Sequence, residues 1–309
     1  QHFGEHVSQI YEDCFYTNVQ MNQDARRMAS ALKSLGVKKG DRVILQMPNC
    51  PEIIQSFIAI YALGAVVVPI NYLVGDAETR FIYEDTNARA VISTMDYWPK
   101  IQECRKGVDS IENVILVDEA VPQPALSYHQ LRCAHVPDFE VVDVGDDDLA
   151  ALIYTAGTTG NPKGVMHTHS TLLENARMQM KTFDLPSGMT SVAVLPLCHS
   201  YGIASMNYSM LKGGNTSVIL KQIDIEAIFK AIEKYKATIV AAVPTLYVYM
   251  LMMADQLKKY DISSMKYWTC GSAPLTRDTW QRFQQTFGGE IVEGWGLTEA
   301  GANNAANPL

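Results

Sequence analysis

YTAGTTGNPKG, residues 154–164, carries three glycines, three threonines and one lysine between two apolar runs. Glycines let a backbone approach a ligand closely and turn its N–H groups inward, while hydroxyls and a lysine supply donors for phosphate oxygens. A Walker A loop places Gly before its Lys and Ser or Thr after it. Here Pro162 precedes Lys163 and Gly164 follows, so the loop is of another kind. The run after it reads as a strand, so no helix dipole assists. A plain Gly/Thr-rich hairpin turn is the competing reading, set against the density of phosphate-binding chemistry.

Outward from this loop the pattern alternates. LAALIYT before it and VMHTH after it read as strands, and TLLENARMQMKTF as a helix. Further on, SVAVLPL, TSVILK, ATIVAAV, MKYWTC and EIVEG read as strands. Helices fall after Asp224, Pro244 and Pro274, with Asp224 as a cap for the amphipathic set Ile225, Ile228, Phe229, Ile232 and Tyr235. Toward the N-terminus, Thr17 precedes a helix with Ala25, Met28, Ala29, Leu32 and Leu35 on one face. RVILQM, AVVVPI, AVIST and NVILVD read as strands, with a helix over 76–86. Near-continuous apolar strands alternating with helices predict an α/β fold of layered, mostly parallel sheets covered on both faces. Residues 119–148, rich in Pro and acidic residues, read as a surface connection. They divide the chain into α/β subdomains of about 1–148 and 149–309, with sharing of sheet strands across the boundary left open.

Residues 53–75 contain no charge and are long enough to span a bilayer. Gly64 and Pro69 punctuate the run, which reads better as a helix, EIIQSFIAIYAL, followed by a buried strand. His167 and His169 form an HxH pair on one face of a predicted strand. A zinc site there would need a third ligand at suitable spacing, and none lies nearby.

The 309 residues are 48% hydrophobic and 19% charged, an ordinary globular composition. Cys14, Cys50, Cys104, Cys133, Cys198 and Cys270 form no CxxC and no close pair. This argues against a zinc ribbon or disulfide scaffold and for a reducing, cytoplasmic setting. A net charge of -8 argues against general nucleic-acid binding, which needs a basic face. Gln1, followed by no basic segment with an apolar run, suggests a trimmed end with no targeting signal.

YTAGTTGNPKGV resembles the phosphate-loop signature of the adenylate-forming superfamily, which includes acyl-CoA synthetases, amino-acid adenylation domains and luciferases. Other segments match in order: YALGAVVVPIN (61–71), LPLCHSYG (195–202) with the acyl-pocket histidine, CGSAPL (270–275) and GWGLTEAG (294–301). The resemblance covers nearly the whole chain, and it implies a partial N-terminal AMP-binding domain. The implied reaction joins a carboxylic acid to ATP as an acyl-adenylate, then to CoA as a thioester. Thr155, Gly157, Thr158, Thr159, Gly160 and Lys163 would hold the β- and γ-phosphates. Thr298 would contact the α-phosphate, and Glu299 would help hold Mg²⁺, which prefers carboxylate and phosphate oxygens. Trp295 would stack on adenine, where many members carry Tyr. Gly271, Ser272, Ala273, Pro274, Glu293, Gly294 and Gly296 would line the nucleotide. On these terms Thr298, Glu299 and Lys163 are the catalytic candidates. Taken alone, Thr298 and Glu299 also fit a plain helix start, Trp295 a core aromatic, and His199 a satisfied buried histidine.

The acid is narrowed by two positions. Members that activate amino acids place an aspartate after the His199 position, to pair with the ammonium. This chain has Ser200, and an unpaired buried ammonium would be costly. Members specific for acetate or propionate carry Trp at the Gly296 position, and Gly296 is expected to leave the pocket open. The implied acid is a medium- or long-chain fatty acid or an aryl acid, with His199, Tyr201, Ser205, Gly271, Gly294 and Gly296 lining its pocket. A luciferase-like oxidation and a non-catalytic ATP- or acyl-binding module are the alternatives. The superfamily continues past the equivalent of Leu309 to a Thr-Gly-Asp segment, a hinge and a small domain with a catalytic lysine. The chain is therefore expected to lack thioester-forming activity and to carry an incomplete barrel. Apolar surface left uncovered would favour self-association, homodimers included, and membrane contact would be peripheral at most.

Overall fold

The computed structural model describes residues 3–156 and 160–307. In chain order the elements are β1 (Val7–Tyr11), β2 (Cys14–Thr17), α1 (Asn18–Ser34), β3 (Arg42–Gln46), α2 (Pro51–Ala62), β4 (Val66–Pro69), α3 (Asp76–Thr86), β5 (Ala90–Ser93) and α4 (Trp98–Cys104). Then follow β6 (Asn113–Leu116), β7 (Leu126–Ser127), α5 (Tyr128–Ala134), β8 (Leu149–Thr155), β9 (Lys163–Thr168), α6 (His169–Phe183), β10 (Thr190–Ala193), α7 (Ser200–Lys212) and β11 (Thr216–Ile219). The last are α8 (Ile225–Tyr235), β12 (Ile239–Ala242), α9 (Pro244–Met252), α10 (Ala254–Leu257), β13 (Tyr267–Cys270), α11 (Arg277–Phe287), β14 (Glu290–Trp295) and β15 (Ala305–Ala306).

Two compact units result, Val19–Leu172 and Leu173–Leu309 with Gln1–Asn18. In the Val19–Leu172 unit the sheet runs β7-β6-β5-β3-β4-β8-β9, parallel except for β9 at the edge. Pro51 opens α2 at the position where a missing N–H costs nothing, and Gly64 at φ +65° stops it. The uncharged run 53–75 thus covers most of α2 and all of β4, largely buried, and ends in an exposed stretch at Leu73 and Gly75. Among the described residues, no helix is long and apolar enough to cross a membrane. Ile44, Val68, Tyr83, Val91 and Leu116 bury one face of this sheet.

The second unit carries the sheet β15-β14-β13-β12-β10-β11-β1-β2, antiparallel only at its edges, β2 and β15. Asp224 caps α8 as its position predicts, Oδ1 accepting from the Ala227 N–H at 3.0 Å. Behind the sheet Trp268, Tyr247 and Phe283 meet edge to face, with ring centroids 4.7 Å (Tyr247–Phe283) and 4.9 Å (Trp268–Phe283) apart. Each such fully buried side chain contributes about 1.5–3 kcal/mol.

Three expectations change. The division falls after Leu172 rather than near 148, and strands do cross the approximate boundary: β8 and β9 complete the first sheet through β4, while β1 pairs with β11. Residues 119–148 are not a bare connection: they hold β7 and α5, and the buried Tyr128 hydroxyl donates to Gln55 at 3.1 Å. Arg26 and Arg27 of α1 donate to the Phe139 and His135 carbonyls, pinning the segment down. His167 and His169 do not share a strand face, since β9 ends at Thr168 and His169 opens α6. Among the described residues, no group of three His, Cys, Asp or Glu could hold a metal.

Candidate active site

In open parallel sheets, ligands bind beyond the carboxyl ends of the strands, where the loops converge. The sequence motifs obey this placement. β8 ends at Thr155 and runs into the Gly/Thr loop; Lys163 lies directly across from Thr155 at the start of β9. β8 and β9 therefore pair as the two arms of a hairpin, and the sequence between them carries the phosphate-type donors. Lys163 and Gly160 are exposed and Thr155 is half-buried. Gly157, Thr158 and Thr159 lie outside the described residues. Tyr154 packs its ring over Gly164, where a Cβ would lie 3.1 Å from it, and its hydroxyl donates to Asp85.

In the other unit, loops follow the carboxyl ends of β10, β13 and β14. Because β10, β12, β13 and β14 are parallel neighbours, those ends share one edge of the sheet. After β10, residues 195–199 lead into α7. His199 caps this helix, its Nδ1 accepting from the Tyr201 N–H at 3.2 Å, which leaves the proton of the neutral ring on Nε2. Desolvation of the ring lowers the His199 pKa although one edge remains exposed, so the neutral form prevails at pH 7. Ser200 is buried and accepts from the Thr298 hydroxyl at 3.0 Å. Tyr201 shares a hydrogen bond with Thr269 at 3.1 Å and lays its ring over Gly271, where a Cβ would sit 3.2 Å from it. Burial pushes the Tyr201 phenol up to about 12. Ser205, one turn further along α7, is half-buried.

After β13, Gly271 is buried and Ser272, Ala273 and Pro274 are exposed. Ser272 sits at φ +70°, a left-handed conformation that non-glycine residues seldom adopt. The Glu293 carboxylate accepts from the Leu275 N–H at 2.9 Å, so at least one of its oxygens braces this loop. Burial and the neighbouring Glu293 charge push the Cys270 thiol up to about 12.

After β14, Trp295 is 60% exposed, consistent with a face free to stack and not with a core aromatic. Thr298 and Glu299 form a single 3-10 turn, Thr298–Ala300, with Glu299 exposed. Gly296 does not face open space. A Cβ there would lie 1.5 Å from the Ala302 carbonyl oxygen, so the chain's own backbone fills the direction a side chain would take. Sequence reasoning did not single out Thr269, Asn175, Asn303 or Asn304 for the site. The run GANNAAN at 301–307 carried a turn signal that could have located the last two.

Glycines, hydroxyls, an exposed indole and carboxylates gather at the carboxyl edge of a parallel sheet, the edge at which α/β proteins bind small ligands. The chain belongs to the AMP-binding enzyme family, whose model matches residues 1–308. It is 32% identical over 313 residues to the long-chain-fatty-acid–CoA ligase of Bacillus subtilis (strain 168), covering 92% of this chain and 55% of that protein. 4-Coumarate–CoA ligase 3 of Arabidopsis thaliana is 31% identical over 293 residues, covering 93% and 51%. Among solved structures, the anthranilate CoA ligase AuaEII in complex with anthranoyl-AMP superposes with a TM-score of 0.94 at 26% identity, covering 98% of this chain and 59% of that one. The N-terminal domain of FACL13 from Mycobacterium tuberculosis gives 0.89 at 28% identity, covering 97% and 74%. The chain spans about half the length of the curated relatives it matches.

Proposed function

We propose that this chain is the ATP- and acid-binding part of an acid–CoA ligase. The acid is a medium- or long-chain fatty acid or an aryl acid. Its carboxylate oxygen attacks the α-phosphorus of ATP, the bond to pyrophosphate breaks, and an acyl-adenylate forms. The thiol of CoA then displaces AMP to give the thioester. The observation that carries this reading is the convergence of three loops at one sheet edge: Ser200 holds Thr298, and Tyr201 lies over Gly271. A relative that holds an acyl-adenylate, anthranoyl-AMP, supports it.

Lys163, Thr155 and the loop glycine Gly160 hold the terminal phosphates, with Gly157, Thr158 and Thr159 completing the loop. Thr298 contacts the α-phosphate, Trp295 stacks on adenine, and Gly271, Ser272, Ala273, Pro274, Glu293, Gly294 and Gly296 surround the nucleotide. His199, Tyr201, Ser205, Gly271, Gly294 and Gly296 border the acid. Such positioning and charge neutralisation is what phosphoryl chemistry requires of a protein. Mg²⁺ fits the donor set, because a lone exposed carboxylate, Glu299, suits a cation whose other ligands are phosphate oxygens and water. When bound it neutralises phosphate charge. A neutral His199 adds no charge that would hold the carboxylate back. Six free cysteines support a reducing, cytoplasmic setting.

The chain alone, at about half the length of its relatives, binds ATP and acid without completing thioester formation. The test supplies ATP, Mg²⁺, CoA and a panel of fatty and aryl acids, and follows thioester and acid-dependent exchange of pyrophosphate into ATP. Thioester turnover at the rate of a longer relative would overturn the inactivity of the chain. Saturable ATP binding that no acid affects would favour a non-catalytic binding module, and light emission a luciferase-like oxidation.

A further inference from the structure

We propose that Asn175 is a positioning residue for the 295–304 loop, with Gln179 fixing its orientation. The inference rests on the reading of Thr298 and Glu299 as nucleotide contacts.

The loop is closed on itself. The Asn304 N–H donates to the Trp295 carbonyl at 2.9 Å, and the Ala302 N–H to the Leu297 carbonyl at 2.9 Å. The Asn304 side chain bonds both ways, accepting from the Leu297 N–H at 2.9 Å and donating to the Ala300 carbonyl at 2.7 Å. The stem is pinned by the short pairing of β14 with β15. These bonds set the shape of the loop but leave its tip unanchored.

Two side-chain contacts anchor the tip. One is the Thr298–Ser200 hydrogen bond already described. In the other, the Asn175 amide in the middle of α6 donates to the Asn303 carbonyl at 2.8 Å. One turn along the same helix, Gln179 donates to the Asn175 Oδ1 at 2.8 Å, which assigns the Asn175 NH₂ to the loop side. Both amides are buried, at 8% and 6% exposure. Burying a pair of amides is costly unless each finds a partner, and the loop carbonyl is what Asn175 finds. Shape adds to this. Gly301 lies against Asn175 at φ +89°, and a Cβ on it would come within 2.9 Å of the Asn175 amide nitrogen. The helix therefore presents a donor and a flat surface that only a glycine in the left-handed region fits. Held this way, the turn carrying Thr298 and Glu299 keeps its place without a ligand, and the ordering cost is met during folding and not at binding.

Asn175→Asp keeps the size of the side chain and the acceptor for Gln179, and removes the donor to Asn303. Gln179→Leu leaves the donor but frees its orientation. Hydrogen exchange of the whole chain is read at Ala300, Gly301 and Ala302, with β12 and β13 as internal controls, beside a titration with Mg²⁺ and ATP. Asn175→Asp is expected to exchange about tenfold faster at the loop amides and to bind ATP about tenfold more weakly, with β12 and β13 unchanged. Gln179→Leu is expected to shift both in the same direction by less. Loop exchange equal to wild type in both variants would overturn the inference. So would a loosened loop that binds ATP like wild type, or loss of protection in β12 and β13, which would make Asn175 a general fold element. If the wild-type chain bound no ATP, the nucleotide reading itself would fall, and the exchange arm would still decide whether Asn175 fixes the loop.

Discussion

Gly202→Ala is expected to lower both stability and function, although the exchange would ordinarily stabilise a helix. Gly202 is the third residue of α7, and Ala is favoured over Gly in a helix by about 1 kcal/mol. A Cβ at Gly202 would lie 2.1 Å from the Pro196 carbonyl oxygen, 2.8 Å from its carbon and 3.1 Å from the Leu197 Cα. All three are backbone atoms, and non-bonded contacts settle at about 3.5–4.0 Å. The 195–199 segment must move by more than ~1 Å to make room. Overpacking on this scale costs about 1–3 kcal/mol. Loss of the His199 N–H bond to the Pro196 carbonyl, now 3.0 Å, adds about 0.5–1.5 kcal/mol. Less the helix gain, the net loss is about 0.5–3.5 kcal/mol. At about 2–4 °C per kcal/mol, melting falls by about 1–14 °C. The same shift moves His199, Ser200 and Tyr201 together, and a misplacement near ~1 Å can cost about 10²-fold in a reaction step. Thermal melting and acid-dependent pyrophosphate exchange are the assays. A Gly202→Ala protein with raised melting temperature and unaltered ligand behaviour would refute the packing argument.

Other outcomes follow from the same geometry. His199 is expected to titrate below 6.5 in an NMR pH series, because desolvation lowers its folded pKa. Between that value and 6.5 the unfolded chain binds more protons, so stability falls as pH drops through the window. His169, lowered by burial in its own unit, contributes with the same sign, and an inflection at or above 6.5 for either ring would contradict its desolvation. Thiol titration of the native chain should show fast reaction at the exposed Cys14 and Cys133 only, with Cys270 silent until unfolding. Rapid labelling of Cys270 would mean that its pocket opens. Phe283→Ala should cost about 3–5 kcal/mol, since Phe283 is fully buried between Trp268 and Tyr247. A melting change of under about 2 °C would deny the cluster its place in the core.

The elements that were legible are those with local causes. Helix α3 begins at Asp76 and ends at Thr86 as its pattern predicts, and Gly64 and Asp224 act as stop and cap. The alternation of apolar strands and helices carried the fold class. What stayed hidden depends on partners far along the chain. Nothing local announces that β1 pairs with β11, or that α1 arginines hold residues 135 and 139. That pairing and the β8–β9 hairpin are why the unit boundary lies later than composition suggested. The quoted motifs fall after β8, β10, β13 and β14, but they do not reveal the contacts made there. Ser200 was read for the charge it lacks, while the structure uses its hydroxyl on Thr298. Gly296 was read as an opening, while the Ala302 carbonyl occupies that direction. Asn175 and Gln179 look like the polar face of an amphipathic helix, yet both are buried.

The proposed function makes Lys163 and Thr298 each a contact of ATP. Calorimetric titration of the chain with ATP, with and without Mg²⁺, tests it most directly, using wild type, Lys163→Ala and Thr298→Ala. Saturable binding by wild type is expected, with about tenfold or greater weakening in each variant and with Lys163→Ala melting like wild type because that side chain is exposed. An absence of saturable ATP binding by wild type, or equal affinity in all three proteins, would contradict it.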